Sequence, residues 1–178
     1  MFDQLSLNIL DIGMNSLAAG ANAIQIAVIE SVRRDWLIIR IRDNGRGMNS
    51  ATLKRVLGRN FTTKTGRKKP IGLGLALLRQ SSEMCGGTFH IRSAPSEGTS
   101  ITASMRLSHV DRPPLGDLNG TILALCASNK TVDVRLHYRS DEGTFQFSSK
   151  EHRSDISRPE NIRSGGNPTP ARLSGPTA

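Results

Sequence analysis

Aromatic side chains are scarce in this sequence. Five Phe, one Tyr and one Trp stand among 178 residues, too few to supply the stacked-ring platforms on which single-strand binders seat bases. Cysteine is scarcer still. Cys85 and Cys126 lie far apart in apolar surroundings with no metal-ligand spacing, so both are expected to be reduced, buried and inert. No apolar run approaches membrane-spanning length, and the start MFDQLSLNIL lacks the basic segment and long apolar core of a signal peptide. The expectation is a soluble, cytoplasmic protein with no membrane partner. Acidic residues are outnumbered, 15 against 24 Lys and Arg, for a formal net charge of +9. That excess permits binding to nucleic acid, acidic protein surfaces or polyphosphates without choosing among them.

What is present begins with helical periodicity. In residues 3 to 19, Leu5, Ile9, Ile12 and Leu17 recur on one stripe, and Gly20 stops the helix. AIQIAVIES and WLIIRIRDN are rich in β-branched residues and read as two strands joined by a charged turn at Arg33-Arg34-Asp35. NSATLKRVLG starts at a capping Asn49 or Ser50 and ends at Gly58, a short helix. A polar loop over 60 to 72 leads to a striped helix over 73 to 85, ended by Gly86-Gly87. TFHIRSA and TSITASMRL alternate with period two around the turn PSEG. The order helix, strand, strand, short helix, helix, strand, strand predicts an α+β fold. It would be a two-layer sandwich with a mixed, mostly antiparallel sheet and helices on one face.

Residues 1–107 form the expected main domain. Residues 108–150 read as a connector containing Pro113-Pro114 and a small α/β appendage packed on the main sheet, because it is too short for a core of its own. In the appendage GTILALCAS is helical, and TVDVRLHYR and TFQFSS make a hairpin around Asp141-Glu142-Gly143. Residues 151–178, rich in Pro, Gly, Ser and charge, are expected to be a disordered tail.

Chemistry-bearing residues occur in four places. Asp11 and Asn15 lie four apart, so a helix projects both from one face. An amide oxygen beside a carboxylate suits a hydrated magnesium ion, and a plain solvated polar face is the alternative. RDNGRGM follows a strand. Gly45 and Gly47 permit close backbone approaches, and Asp43 can accept a hydrogen bond from an exocyclic amine or simply cap a glycine turn. FTTKTGRKKPIGLGLALL gathers Lys64, Arg67, Lys68 and Lys69 ahead of Gly72 and Gly74 at a helix start. This run reads as a solvated basic loop, a cover over phosphates, or a strip that grips nucleic acid. A helix N-terminus favours anions, but the full dinucleotide fingerprint and the P-loop are both missing. Thr99, after Gly98, either turns its hydroxyl to a ligand or is a β-favoured residue.

The joint order of these motifs resembles the ATP-binding domain shared by gyrase, the heat-shock-90 chaperones, histidine kinases and MutL, the GHKL group with its Bergerat fold. The resemblance covers residues 5–107, with wording over 61–78 most similar to the histidine-kinase branch. LSLNILDIGMNSLAAGA and LSHVDRPPLGDL further resemble small stand-alone ATP-binding proteins of anaerobic bacteria. The resemblance implies ATP and Mg2+ as cofactors. It makes Asn15 the magnesium ligand, and places Asp11 and Lys64 as catalytic groups. Asp43 and Thr99 would hold the adenine, and Gly45, Gly47 and Met48 would shape the base pocket. Phe61 and Lys64 would lie in the lid, and Gly72, Leu73 and Gly74 would meet phosphates. Two departures stand out: Pro70 replaces a lid glycine found in many relatives, and Asp11 is shorter than the usual Glu.

No segment reads as a two-helix dimerisation unit with a phosphorylatable His. The expectation is therefore a signalling kinase or ATPase acting on a separate partner or phosphoacceptor protein. An ATP-operated switch with little turnover is the second reading. A basic nucleic-acid module with a degenerate ATP site is the third reading and ranks last, while a homodimer is left open.

Overall fold

A computed structural model describes residues 4–58 and 73–151 of the chain. The elements are helices α1 (Leu5–Ala18), α2 (Ser50–Leu57), α3 (Leu73–Met84) and α4 (Leu118–Ser128). The strands are β1 (Ala23–Ser31), β2 (Trp36–Asp43), β3 (Phe89–Ala94), β4 (Gly98–Arg106), β5 (Asp133–Arg139) and β6 (Thr144–Ser148). They form one six-stranded sheet in the order β3-β4-β2-β1-β5-β6. Every neighbouring pair is antiparallel except β1 and β5. The fold is thus the expected α+β sandwich with a mixed, mostly antiparallel sheet.

Alternation along each strand builds the layers. In β2, Leu37, Ile39 and Ile41 are almost fully buried, whereas Arg40 and Arg42, which alternate with them along the strand, are exposed. Ile24, Ile26 and Val28 of β1 continue that apolar face, as do Ile101, Ala103 and Met105 of β4. Helices α1, α3 and α4 close over it with Leu5, Ile9, Ile12, Leu78 and Leu125. Burying side chains of this size stabilises by about 1.5–3 kcal/mol each, before the entropy of ordering them is counted.

The segment after residue 107 enters the same layers. Leu5 and Ser6 donate their N–H groups to the carbonyls of Pro114 and Leu115, at 2.9 and 2.8 Å. These amides lie in the first turn of α1, which has no side-chain cap, so the connector satisfies donors that the helix itself leaves orphaned. Asp117 caps α4 by accepting the Gly120 N–H at 2.8 Å. The helix then packs on Gly13 of α1, where an added Cβ would press on Leu125. β5 follows, and its Val134 and Leu136 add to the common core. The two cysteines are buried as expected, and burial pushes both thiols above their usual range.

Candidate functional site

Asp43 ends β2 on the helix-covered face and is only 7% exposed. Its Oδ2 accepts the Ser16 hydroxyl proton from α1 at 2.8 Å, and its Oδ1 accepts the Gly45 N–H at 2.9 Å. A carboxylate this buried persists because donors replace its lost water. Ser16 reaches it from a buried position one turn beyond Ile12 on the inward stripe of α1.

Backbone geometry then shapes the space in front of Asp43. Gly47 has φ +63°, and a Cβ there would overlap the Ala94 carbonyl; Gly98 has φ +79°, and a Cβ there would overlap the Asp43 carbonyl. Both positions need glycine for conformation and for space together. The loop is pinned further by Met48, whose N–H donates to Ser93 Oγ at 2.9 Å. Ser93 gives its own proton to the Gly98 carbonyl at 2.8 Å, so the 3.0 Å contact with Thr99 Oγ1 is one in which Thr99 donates. Thr99 also stands directly across the β2–β4 pairing from Asp43. Arg46 ties the loop to the end of α1: its guanidinium donates to the Ala18 carbonyl and its N–H to the Ala19 carbonyl.

The result is a cavity of about 330 Å³. Ile12, Leu75, Ile91 and Ile101 give it apolar walls, and Asn15, Asp43 and Thr99 supply polar groups. Apolar walls with a few convergent polar atoms are the usual make-up of a site for a flat organic ring. Of the residues expected from sequence, Asn15, Asp43, Gly47, Met48 and Thr99 line this cavity. Gly45 supports Asp43 from the adjoining loop.

Asp11 and Gly74 meet at the junction of α1 with α3. Gly74 donates its N–H to Asp11 Oδ2 at 2.9 Å, and Asn15 donates its side-chain N–H to the same oxygen at 3.4 Å. An added Cβ at Gly74 would come within 2.8 Å of Asp11, so this glycine lets α3 start close against α1. Leu73 opens α3 beside it. The amide expected to meet a phosphate is therefore engaged by a carboxylate here. Phe61, Lys64, Gly72, the cluster Arg67, Lys68 and Lys69, and Pro70 lie outside the described residues.

Sequence reasoning missed Ser16, Ser93 and Arg46. A faint signal existed for Ser16, whose place on the buried stripe of α1 calls for a polar partner. Ser93 had none, because its role depends on where the β3–β4 turn meets the 44–48 loop. With Asn15 directing its amide nitrogen at Asp11, its carbonyl oxygen is the atom suited to a hard cation. Among the described residues no group of three His, Cys, Asp or Glu side chains gathers to hold a metal without further ligands.

A two-layer sandwich with this mixed six-stranded sheet is a fold also found in MutL ATPase domains. Comparison with known proteins agrees. The family described as "Histidine kinase-, DNA gyrase B-, and HSP90-like ATPase" matches residues 1–109, and the chain belongs to it. The sensor histidine kinase YvrG of Bacillus subtilis is 28% identical over 90 residues, 49% of this chain and 16% of that protein. Sensor histidine kinase YcbM of the same organism is 28% identical over 107 residues, 58% of this chain and 33% of that protein. The chain thus spans a third or less of these curated relatives. The solved Aquifex aeolicus MutL ATPase domain complexed with ADP superposes with a TM-score of 0.51 at 14% identity, covering 88% of this chain and 70% of that one. At that identity the likeness is one of fold. Among the described residues no helix is long and apolar enough to cross a membrane.

Proposed function

We propose that the chain binds ATP with magnesium and serves as the ATP-using part of a signalling kinase or ATPase whose phosphoacceptor is a separate protein. The observation that carries this reading is Asp43: a buried carboxylate held by Ser16 and Gly45 at the floor of a ring-sized apolar cavity, with the Thr99 hydroxyl across the strand pairing. An amino-bearing purine meets those acceptors with its exocyclic N–H, and the apolar walls cover its faces. Asn15 Oδ1 would hold magnesium, waters and phosphate oxygens completing the shell. The ion would neutralise charge developing on the transferred phosphoryl group. The chain's own part is to orient the base, keep water from Asp43 and place Asn15 beside the phosphates.

A second reading, an ATP-operated switch, is favoured by one contact. Asp11 joins α1 to the first turn of α3, immediately after residues 59–72. A cation seated on Asn15 would compete for the Asp11 carboxylate and loosen Gly74, so nucleotide would shift the start of α3.

Calorimetric titration with ATP and magnesium tests the reading. Saturable binding by the wild type that is absent in Asp43→Asn, with both proteins melting cooperatively, is the expected result. Failure of the folded wild type to bind overturns it. Transfer of labelled γ-phosphate to a protein acceptor separates the kinase from the switch.

A further inference from the structure

The face of the sheet that no helix among the described residues covers carries a pattern that no single strand reveals. Register across five strands sets Arg92, Ser100, Arg42, Gln25 and Arg135 in one row. The adjacent row, two residues along each strand, reads His90, Thr102, Arg40, Ala27 and His137. Guanidinium groups in the first row therefore stand on alternate strands, about 10 Å apart, with a hydroxyl or amide between them, and the rows lie about 7 Å apart. Arg40, Arg42 and Arg92 are exposed and make no ion pair among the described residues, while Arg135 binds Asp133 at 2.8 Å. A concavity of about 700 Å³ lies against these rows, lined by Arg40, Arg42, Arg135, Ser100 and Thr102, with Glu151 and the apolar Ile29 and Phe147 also on its wall.

What fits such a surface must be anionic, which argues against a second copy of this face. It also argues against the chain's own residues 152–178, which hold Arg153, Arg158, Arg163 and Arg172 against Asp155 and Glu160. The two rows offer no large apolar side chain to anchor a protein partner, and such anchors carry most of the energy in protein interfaces. Their only rings are the imidazoles of His90 and His137, and neither row holds a Phe, Tyr or Trp for stacking an unpaired base. Trp36, further along this face, is covered by the Arg106 guanidinium at 4.3 Å from the ring centre. Arg, Ser, Thr and Gln side chains without apolar anchors are the usual donors to phosphodiester oxygens, which take half or more of protein–DNA hydrogen bonds.

We propose that the open sheet face binds the phosphate backbone of a nucleic-acid duplex without reading its sequence. Scarce aromatics argued against nucleic acid in the sequence, but they exclude only binding through stacked bases. The site lies on the opposite face of the sheet from the Asp43 cavity and stands independently of the ATP reading.

The test uses the full chain and a fluorescein-labelled DNA duplex of about 24 base pairs, followed by anisotropy from about 50 to 200 mM salt. Saturable binding by the wild type is expected, unchanged in Asp43→Asn. The triple variant Arg40→Glu, Arg42→Glu, Arg92→Glu should bind at least about tenfold more weakly, with a salt slope shallower by about 0.9 for each phosphate it no longer neutralises. Arg33→Glu, Arg34→Glu, Lys130→Glu makes the same charge change off this face and should retain binding; all six positions are exposed. Matched thermal melts confirm that the variants fold. No duplex binding by the wild type overturns the proposal, as does equal weakening in both triple variants, which would make net charge the cause. Displacement of the duplex by polyglutamate at equal charge concentration also overturns it, in favour of an acidic protein partner.

Discussion

The two faces of one sheet differ in everything except their backbone. On the helix-covered face of β2 stand Leu37, Ile39, Ile41 and then Asp43; on the other stand Trp36, Ile38, Arg40 and Arg42. Hydrogen-bond pairing is common to both, so it cannot decide which face does what. Burial decides. On β2 the covered face tolerates one charge, at the strand end, because Ser16 and Gly45 supply donors to it. The open face holds several charges with few partners because water solvates them at little cost. Chemistry that needs a dry, preorganised acceptor belongs to the first face, and attraction to a large anion belongs to the second.

Neighbouring residues of β2 offer the sharpest way to break the comparison. Ile39→Ala removes a fully buried side chain and should lower stability by about 2–5 kcal/mol. Arg40→Ala should stay within about 0.5 kcal/mol. Urea denaturation of the two variants measures both, and equal destabilisation would show that the open face is packed rather than solvated. Hydroxyl removal gives a smaller contrast. Ser16→Ala leaves a buried oxygen of Asp43 short of a donor and should cost about 1–3 kcal/mol, whereas Ser100→Ala on the open face should cost less than about 0.5 kcal/mol. Melts beside nucleotide titrations would also show whether Ser16 acts on affinity through Asp43.

The smallest effect lies at the rim, where the faces meet. Asp141 accepts the Arg33 N–H and the Ser31 hydroxyl, both at 3.0 Å, tying the β5–β6 turn to the β1–β2 turn. The Arg33 N–H chiefly, then the Ser31 hydroxyl, holds its carboxyl below the ordinary value of 3.8. A depressed folded value means the tie stabilises above the unfolded pKa and fades as pH falls through the folded one. In Asp141→Asn the fall in stability between about pH 5 and 2 should therefore be shallower than in the wild type. An unchanged pH profile would show that the tie contributes nothing.

Much of the covered face was legible in the sequence. Period-two runs marked the strands, the stripe Leu5, Ile9, Ile12 marked α1, and Asn49 and Gly58 bracketed α2, where Asn49 accepts the Thr52 N–H at 2.8 Å. Asp43 after a strand and ahead of Gly45 and Gly47 announced an acceptor beside a tight loop. Ser16 meets Asp43 across 27 residues of chain, and no local signal measures such a distance. β5 was equally hard to place. Its hairpin with β6 is local and was visible, but its parallel pairing with β1 arises only because α4 packs on α1 and returns the chain alongside.

By itself, then, the sequence determined what periodicity and local chemistry can encode: the strands and helices, the apolar face of each, the glycines at strained turns, and the excess of positive charge. Tertiary structure alone decided which of those pieces face one another. Alternation in β2 turned Arg40 and Arg42 to one side, but only register across β3, β4, β2, β1 and β5 brought Arg92 and Arg135 into line with Arg42. The same register set Thr99 opposite Asp43. The physical reason is that strand pairing is non-local: its hydrogen bonds are alike at every position, and burial of the far side of the sheet selects the alignment.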